Sequence, residues 1–197
     1  MMNMKAMHKD FWMEIRKSKA RFISIFMIVA LGVAFFSGIQ ASSPDMRFSG
    51  DAYYDETNLM DTNAMGILGL TEVDEAAIKQ VDGVEDAEGA YGTDVMCGEG
   101  EKQKVLHVEA VDQTMNRISV TEGKAPEKSG EIFLDCIFAE SNGYKVGDQI
   151  TLKEGGDSEL LKKTDYTVVG LGESPLYISY NRGNSTLGSG EVNGFAY

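Results

Sequence analysis

The sequence predicts an α+β protein in which a single N-terminal transmembrane helix is followed by an extracytoplasmic mixed α+β domain. Three observations predict it. Residues 22–39 carry no ionisable side chain, the flanks of that run differ sharply in charge, and short strand patterns alternate with helix-capping signals after residue 62. A hydrophobic content of 43% and a charged content of 25% are typical of a folded chain rather than a disordered one.

Residues 1–21 are predicted to form a basic amphipathic helix on the cytoplasmic surface of the membrane. Phe11, Trp12 and Ile15 fall at helical spacing, and basic side chains lie beside them. Aromatic rings and long basic side chains both settle at a membrane interface. The alternative is a disordered basic segment, because a helix of this length is marginal alone. The residues expected to anchor the chain in the bilayer or at its interface are Trp12, Arg16, Lys17, Lys19, Arg21, Phe22 and Phe36.

Residues 22–40 are predicted to cross the bilayer. At a helical rise of about 1.5 Å per residue, the uncharged run 22–39 spans roughly 27 Å, close to the thickness of the hydrocarbon core. Its side chains are apolar on every face, whereas a soluble core helix normally has a polar side. Ser24 and Ser37 can bond back to a helical carbonyl, and Gly32 and Gly38 are tolerated in membrane helices.

Charge predicts the orientation of this span. Residues 1–21 hold six basic and two acidic side chains, a net +4, whereas residues 40–197 hold 12 basic and 29 acidic ones, a net −17. The positive-inside rule therefore places the N-terminus in the cytoplasm and residues 41–197 outside the plasma membrane. The acidic domain argues against nucleic acid as a partner, because phosphates would be repelled.

The rival interpretation of the span is a cleaved signal peptide. Signal peptides usually have 7 to 15 apolar residues after a short basic region. Here the basic region and the apolar run are both longer, and Ile39-Gln40-Ala41 is a poor cleavage site because Ile occupies a small-residue position. An uncleaved anchor is favoured.

Residues 41–61 are predicted to be a polar juxtamembrane segment. Ser42-Ser43-Pro44 is expected to end the membrane helix, and acidic residues follow it. These carboxylates do not form an Asp-x-Asp-x-Asp-Gly calcium loop, so a solvated segment is the favoured interpretation.

Residues 62–197 are predicted to form the α+β domain. A short strand is expected at 63–68, then a helix capped by Thr71 and stopped by Asp82-Gly83, with an apolar stripe formed by Val73, Ala77, Ile78 and Val81. Residues 84–96 and 104–111 are expected to pair as a hairpin, with Leu106, Val108 and Ala110 on one face and His107 and Glu109 on the other.

The second half of the domain continues the pattern. A buried strand is expected at 130–134, then a helix at 136–141 that Asp135 caps and Asn142-Gly143 ends. Strands are expected at 149–152 and 165–171. Residues 175–197 have strand-like ends around a Gly/Asn/Ser-rich middle without a closing element, from which we expect the chain to be cut short.

Catalytic and metal chemistry find little support. His8 and His107 are predicted on opposite sides of the membrane, and Cys97, Cys136 and His107 lack zinc-site spacing. A Gly-x-Ser-x-Gly motif is absent, so we expect no catalytic residue, no metal ligand and no enzyme activity. Two thiols in an exported domain could pair, but their spacing does not require a disulfide.

Three segments together resemble one family. They are DFWMEIRKSKARFISIFMIVALGVAFFSGI, then LTEVDEAAIKQVDGVEDAEG, then GKAPEKSGEIFLDCIFAESNGYKVGDQITL. In combination they resemble the first transmembrane helix and the following extracytoplasmic core domain of MacB/FtsX-type ABC transporter permeases. The resemblance covers nearly the whole chain but not the later transmembrane helices of that family.

The resemblance implies a permease subunit that passes ATPase-driven movement to an exported domain acting on an unidentified substrate. It implies that ATP is bound by a separate cytoplasmic ABC ATPase subunit, with the lipid bilayer as second partner and a permease dimer left open. This sequence has no Gly-x-x-x-x-Gly-Lys-Ser/Thr loop, and we expect it to bind no cofactor itself. The alternative is a membrane-anchored extracellular protein-interaction module without transport activity.

Overall fold

The computed structural model describes residues 4–112, 114–155 and 161–197. It divides into two compact units, one that ends at Ala52 and a second from Tyr53 to Tyr197. One long apolar helix comes first and a mixed α+β sheet domain follows, which confirms the predicted fold class.

Two helices account for the N-terminal part of the chain. Helix α1 runs over Met4–Lys17 and helix α2 over Lys19–Thr57. Helical hydrogen bonds continue past Ser18, because its backbone N–H donates to the Glu14 carbonyl at 3.1 Å and its own carbonyl accepts from Phe22 N–H at 3.0 Å. Ser24 Oγ donates to the Ala20 carbonyl at 2.9 Å, the back-bond that the sequence predicts.

The predicted helix break at Ser42-Ser43-Pro44 is wrong. Helix α2 continues through Pro44 to Thr57. Proline removes one helical donor, and helices accommodate it as a local defect when the surrounding turns persist. Here the Ser42 hydroxyl bonds to the Gly38 carbonyl at 2.9 Å in the turn just before it.

Helix α2 ends instead at an asparagine in the left-handed conformation. Asn58 has φ +50°, its N–H donates to Asp55 O at 3.2 Å, and Leu59 N–H donates to Tyr54 O at 3.0 Å. This pair of bonds is the Schellman pattern, in which Asn is the common substitute for Gly.

The second unit is built on a closed ring of six strands with a seventh attached. The strands are β1 Gly92–Cys97, β2 Lys104–Glu109, β3 Ser119–Gly123, β4 Glu131–Asp135, β5 Gln149–Glu154, β6 Asp165–Glu173 and β7 Gly194–Ala196. Their order is β3-β6-β4-β7-β2-β1-β5, and β5 also pairs with β6, which closes the ring. The β2–β7 and β4–β6 pairs are parallel and the others antiparallel.

The interior of the ring is apolar. One buried cluster takes residues from all six ring strands and from helix α4, Cys136–Asn142. A smaller cluster of Phe133, Phe195 and Tyr197 lies on the outer face of β4 and β7. Side chains alternate between the two faces along each strand, as a pleated strand requires.

Several predicted elements of the domain are confirmed. β1 and β2 form the expected hairpin, and β4, β5 and β6 form near the expected positions. Asp135 caps α4 by accepting from Ile137 N–H at 3.0 Å, and Gly143 ends it at φ +78°. Helix α3, Glu72–Ile78, begins at Thr71 with a complete capping box to Asp74.

Other predictions for the domain are wrong. Residues 63–68 form no strand, and Ile67 and Leu68 are fully exposed. The first hairpin strand begins only at Gly92, and strand β3 was not among the predicted strands. Val73 and Val81, predicted to share one apolar stripe of a helix, are exposed at 76% and 56%, and α3 ends before Val81. An amphipathic spacing predicts a helix, but it does not show whether another part of the chain packs against the apolar face of that helix.

Candidate membrane anchor and barrel junction

The predicted anchor and interface residues are divided between the first two helices: Trp12, Arg16 and Lys17 lie in α1, and Lys19, Arg21, Phe22 and Phe36 lie in α2. Trp12 is 63% exposed, and its ring meets that of Phe11 edge-on at 6.5 Å. Arg16 and Lys17 lie in the last turn of α1, where their positive charges interact favourably with the negative end of the helix dipole. Their contact with lipid headgroups stays a prediction, as it does for Lys19 and Arg21.

The apolar part of α2 is exposed on every side. Phe22 is 44% exposed, Phe36 is 64% exposed, and the most apolar window of 18 residues contains no buried position. Among the described residues, α2 is the one helix that is long and apolar enough to cross a membrane. Continuous apolar surface of this extent calls for lipid or protein to cover it.

The last turn of α2 belongs to the barrel unit and is bonded to the loop between β2 and β3. Arg117 N–H donates to the Thr57 carbonyl at 2.8 Å, and Asn116 N–H donates to the Asn58 carbonyl at 2.9 Å. Asn58 Nδ2 donates to the Thr114 carbonyl at 2.8 Å. We call this contact between residues 57–60 and 112–117 the junction.

Asn116 is the central side chain of the junction. Its Oδ1 accepts from Met60 N–H at 3.1 Å, and its Nδ2 donates to Asp112 Oδ2 at 2.7 Å. Its φ is +47°, a conformation that asparagine tolerates better than most residues, and it is 6% exposed. Glu88 holds the loop from another side, because its Oε2 accepts from the N–H and Oγ of Thr114 at 3.1 and 2.8 Å.

A second feature of the barrel is a segment that we call the strap, residues 174–193 between β6 and β7. Arg182 in the strap forms a two-pronged ion pair with Asp135, at 2.8 Å from Nε to Oδ2 and 3.1 Å from Nη2 to Oδ1. Both side chains are buried, at 6% and 1% exposure. The remaining guanidinium donors reach the carbonyls of Tyr177 and Ser179.

A polar cluster lies on the outer face of the hairpin beside the strap. His107 Nδ1 is 2.6 Å from Asp94 Oδ1, and His107 Nε2 is 3.4 Å from Glu109 Oε1. The Tyr177 hydroxyl donates to Glu109 Oε1 at 2.8 Å. The Tyr177 ring stacks on Phe195 at 4.7 Å.

The surroundings shift the pKa of several groups in this cluster. The hydrogen bond to Glu109 raises the pKa of His107, with a further contribution from Asp94, against the opposing effect of burial. Burial alone would raise the pKa of Glu109, but hydrogen bonds from His107, Tyr177 and Tyr197 together lower it. Burial, then the charge of Glu109, raises the pKa of both tyrosines, so they remain hydrogen-bond donors.

The two cysteines are free thiols that lie apart from His107. Cys97 is buried in the ring interior, and burial raises its pKa to about 11. Cys136 is half-buried at the first turn of α4. In the described part of the chain, no three His, Cys, Asp or Glu side chains form a group that could hold a metal ion.

A shallow groove runs along α4 at one end of the ring. Its larger part has a volume of about 270 Å³ and is lined in part by Cys97, Lys104, Phe138, Asn142 and Tyr144. A thiol with its pKa near 11 is protonated at neutral pH and is a poor nucleophile. Three charged side chains, Glu99, Lys102 and Lys104, also line the groove, and its thiol is not an activated group.

The chain is similar in structure to a domain of known structure, although its sequence gives no match. No protein-family model and no curated protein matches the sequence. The crystal structure of the extracellular domain of the noncanonic ABC-type transporter YknZ from Gram-positive bacteria matches with a TM-score of 0.41 and 14% identity. The match covers 67% of this chain and 63% of that one, so the chain spans less than two thirds of its length. These values do not assign the chain to that protein's family.

Proposed function

We propose that the chain is the N-terminal part of an ABC transporter permease subunit of the MacB/FtsX type. In this proposal α2 anchors it in the plasma membrane with the N-terminus in the cytoplasm, and the barrel lies outside. One observation carries the proposal: an apolar helix with every face exposed has its last turn hydrogen-bonded into a folded barrel.

The anchor part of the proposal rests on exposure and charge. The large apolar side chains of α2 are exposed, whereas a folded soluble protein would cover such a surface. Insertion of α2 into lipid removes this apolar surface from water. The net +4 before the span and the net −17 after it favour an N-terminus that stays inside.

The coupling part of the proposal rests on the junction. The turn that ends α2, residues 57–60, shares four hydrogen bonds with the β2–β3 loop. A displacement of that turn must break these bonds or carry the loop with it, and the loop leads directly into β3. The barrel would in this way receive movement that a cytoplasmic ATPase generates on the other side of the membrane.

Two measurements test the permease role. The coding sequence that follows Tyr197 in the native gene is expected to encode further apolar segments of about 20 residues each. Affinity purification of the native subunit from solubilised membranes is expected to recover a nucleotide-binding protein with a Gly-x-x-x-x-Gly-Lys-Ser/Thr loop. A reading frame without further apolar segments, together with no such protein, would support the membrane-anchored interaction module instead.

A matched pair of variants tests the coupling. Asn116→Ala removes two side-chain hydrogen bonds of the junction and disfavours its positive φ, whereas Asn181→Ala alters an asparagine in the strap. In the assembled transporter we expect Asn116→Ala to lower transport while ATP hydrolysis persists, and Asn181→Ala to retain transport. Equal transport by both variants, with the barrel folded, contradicts coupling through the junction.

A further inference from the structure

His107 lies between two carboxylates at the outer surface of the β1–β2 hairpin. Nδ1 faces Asp94 Oδ1 at 2.6 Å and Nε2 faces Glu109 Oε1 at 3.4 Å. The three side chains are 30%, 24% and 21% exposed, so water reaches the cluster and protons can exchange. This placement fixes both ring nitrogens against hydrogen-bond acceptors.

The proton count of the imidazole follows from that geometry. An ionised carboxylate only accepts hydrogen bonds, and a neutral imidazole has one N–H and one lone pair. A neutral His107 could satisfy one carboxylate while its other nitrogen directs a lone pair at the second. Both contacts are favourable only for the imidazolium form.

Glu109 connects this proton to the strap. The same Oε1 that faces His107 Nε2 accepts the Tyr177 hydroxyl at 2.8 Å. Tyr177 lies near the start of the strap with its ring on Phe195, and its carbonyl accepts from the Arg182 guanidinium. A change in the position of the Glu109 carboxylate therefore acts on Tyr177, one of the residues that anchor the strap.

We propose that His107 is a proton-operated latch for the strap. The imidazolium holds Glu109 where it binds Tyr177, and loss of the Nε2 proton turns an attraction into a lone-pair repulsion that weakens the hold on Tyr177 and so raises the fraction of molecules in which the strap opens. The latch does not depend on whether the chain belongs to a transporter.

The groups that surround His107 support this assignment. Asp94 of β1 and Glu109 of β2 face the imidazole, and the Tyr177 ring lies 6.4 Å from it. Tyr197, after β7, bonds to Glu109, whose charge also acts on Asp112 in the following loop. Both tyrosines keep their protons, because burial and then the charge of Glu109 raise the pKa of each. Deprotonation removes the cation that lies between the Asp94 and Glu109 carboxylates. The Arg182 guanidinium is committed to Asp135.

The direction of the pH dependence follows from the raised pKa of His107. A raised pKa in the folded state means that the latch contributes fully below the ordinary histidine value of about 6.5. Its contribution is lost as pH rises through the raised value. Glu109 sets the acid limit, because its lowered pKa means that its own contribution is lost only as pH falls through that lowered value.

The protonation state can be measured directly, because the chain has only two histidines. In the full chain in detergent micelles labelled with [15N]histidine, we expect His107 to show two protonated ring nitrogens at pH 6 and to lose one only above the ordinary histidine pKa of about 6.5. A single protonated nitrogen on His107 at pH 6 would overturn the proposal.

Trypsin reports on the strap, because Arg182 is the only lysine or arginine in residues 174–193. We expect the initial rate of cleavage after Arg182, divided by the rate after the exposed Lys128, to rise about tenfold between pH 6 and pH 9. A tenfold rise in this ratio corresponds to the loss of one charge-assisted hydrogen bond. A flat ratio across this range would overturn the proposal.

Two substitutions separate the latch from general stability. His107→Gln carries no charge and is expected to give the high ratio at every pH, whereas His107→Lys keeps a cation and is expected to give the low ratio at every pH. A pH-dependent rise retained in His107→Gln, or one retained in His107→Lys, contradicts the latch. If His107→Gln does not fold, His107→Lys and the wild-type titration still decide the question.

Discussion

At the scale of single residues, Asp135 joins three parts of the barrel. It ends β4, caps α4 through Ile137 N–H, and receives two hydrogen bonds from Arg182 of the strap. A charge with 1% exposure is tolerated because its oxygens are fully paired. Removing one partner of such a pair leaves the other charge buried and uncompensated.

Arg182→Ala is expected to lower the free energy of unfolding by about 3–5 kcal/mol, the cost of leaving a buried carboxylate unpaired. The matched control is Lys153→Ala, which breaks an exposed pair with Glu99 and should cost about 1 kcal/mol or less. Near-UV circular dichroism of the tyrosines during urea unfolding measures both, since the single tryptophan, Trp12, lies in α1. Equal midpoints for the two variants would contradict the role of the buried pair.

The two thiols are expected to react at different rates. Cys97 is buried and has its pKa raised to about 11, whereas Cys136 is half-buried at the surface. With a maleimide at pH 7, we expect Cys136 to be fully modified while Cys97 is still intact, and both to react in denaturant. Mass spectrometry of tryptic peptides gives the two rates. Early modification of Cys97 would show that the ring interior is open to solvent.

At the scale of elements, strand β6 depends on two glycines. A Cβ at Gly170 would lie 2.1 Å from the Lys124 carbonyl oxygen, and one at Gly172 would lie 2.0 Å from the Ser119 carbonyl oxygen. Both obstacles are backbone atoms at the two ends of β3. The β3 strand can pair with β6 only because β6 has no side chain at these positions.

Gly170→Ala is expected to destabilise the barrel by about 1–3 kcal/mol and to loosen β3, because backbone atoms must move to admit the methyl group. Gly50→Ala serves as the control, since nothing lies within 4 Å of a Cβ there in α2. Hydrogen exchange of β3 amides should rise in the first variant only. Unchanged protection of β3 in Gly170→Ala would mean that the close approach is not required.

Local capping signals correctly predicted where two helices begin, whereas contacts between distant parts of the sequence could not be predicted. Thr71 and Asp135 marked the starts of α3 and α4 because their hydrogen bonds are local. The junction joins Asn58 to Thr114, 56 positions away, and the buried ion pair spans 47 positions. No local pattern specifies such contacts, so the sequence predicted an anchor but neither the junction nor the strap.

At the scale of the whole molecule, charge is divided between the two flanks of α2. The basic residues precede the span and lie within 20 positions of it, the distance over which they influence orientation. Most of the acidic excess lies farther away, in the barrel. The N-terminal flank is therefore expected to decide the topology.

Replacing Arg16, Lys17, Lys19 and Arg21 together by Glu is expected to reduce or reverse export of the barrel. Protease added to spheroplasts should digest the barrel of the wild type and spare that of the variant. The control replaces the distant Lys102, Lys128, Lys162 and Lys163 by Glu, which adds the same charge without affecting export. Equal digestion of the barrel in the wild type, the variant and the control would contradict the positive-inside orientation.

The position of β7 sets the order in which the ring can form. Strands β2 and β4 lie on either side of it, and it is synthesised some twenty residues after β6. Until it arrives, β2 and β4 each present a bare row of backbone groups that could capture another chain. Closure of the ring must therefore wait for β7, and because the partners of β7 lie far back in the sequence, we expect folding of the barrel to be slow.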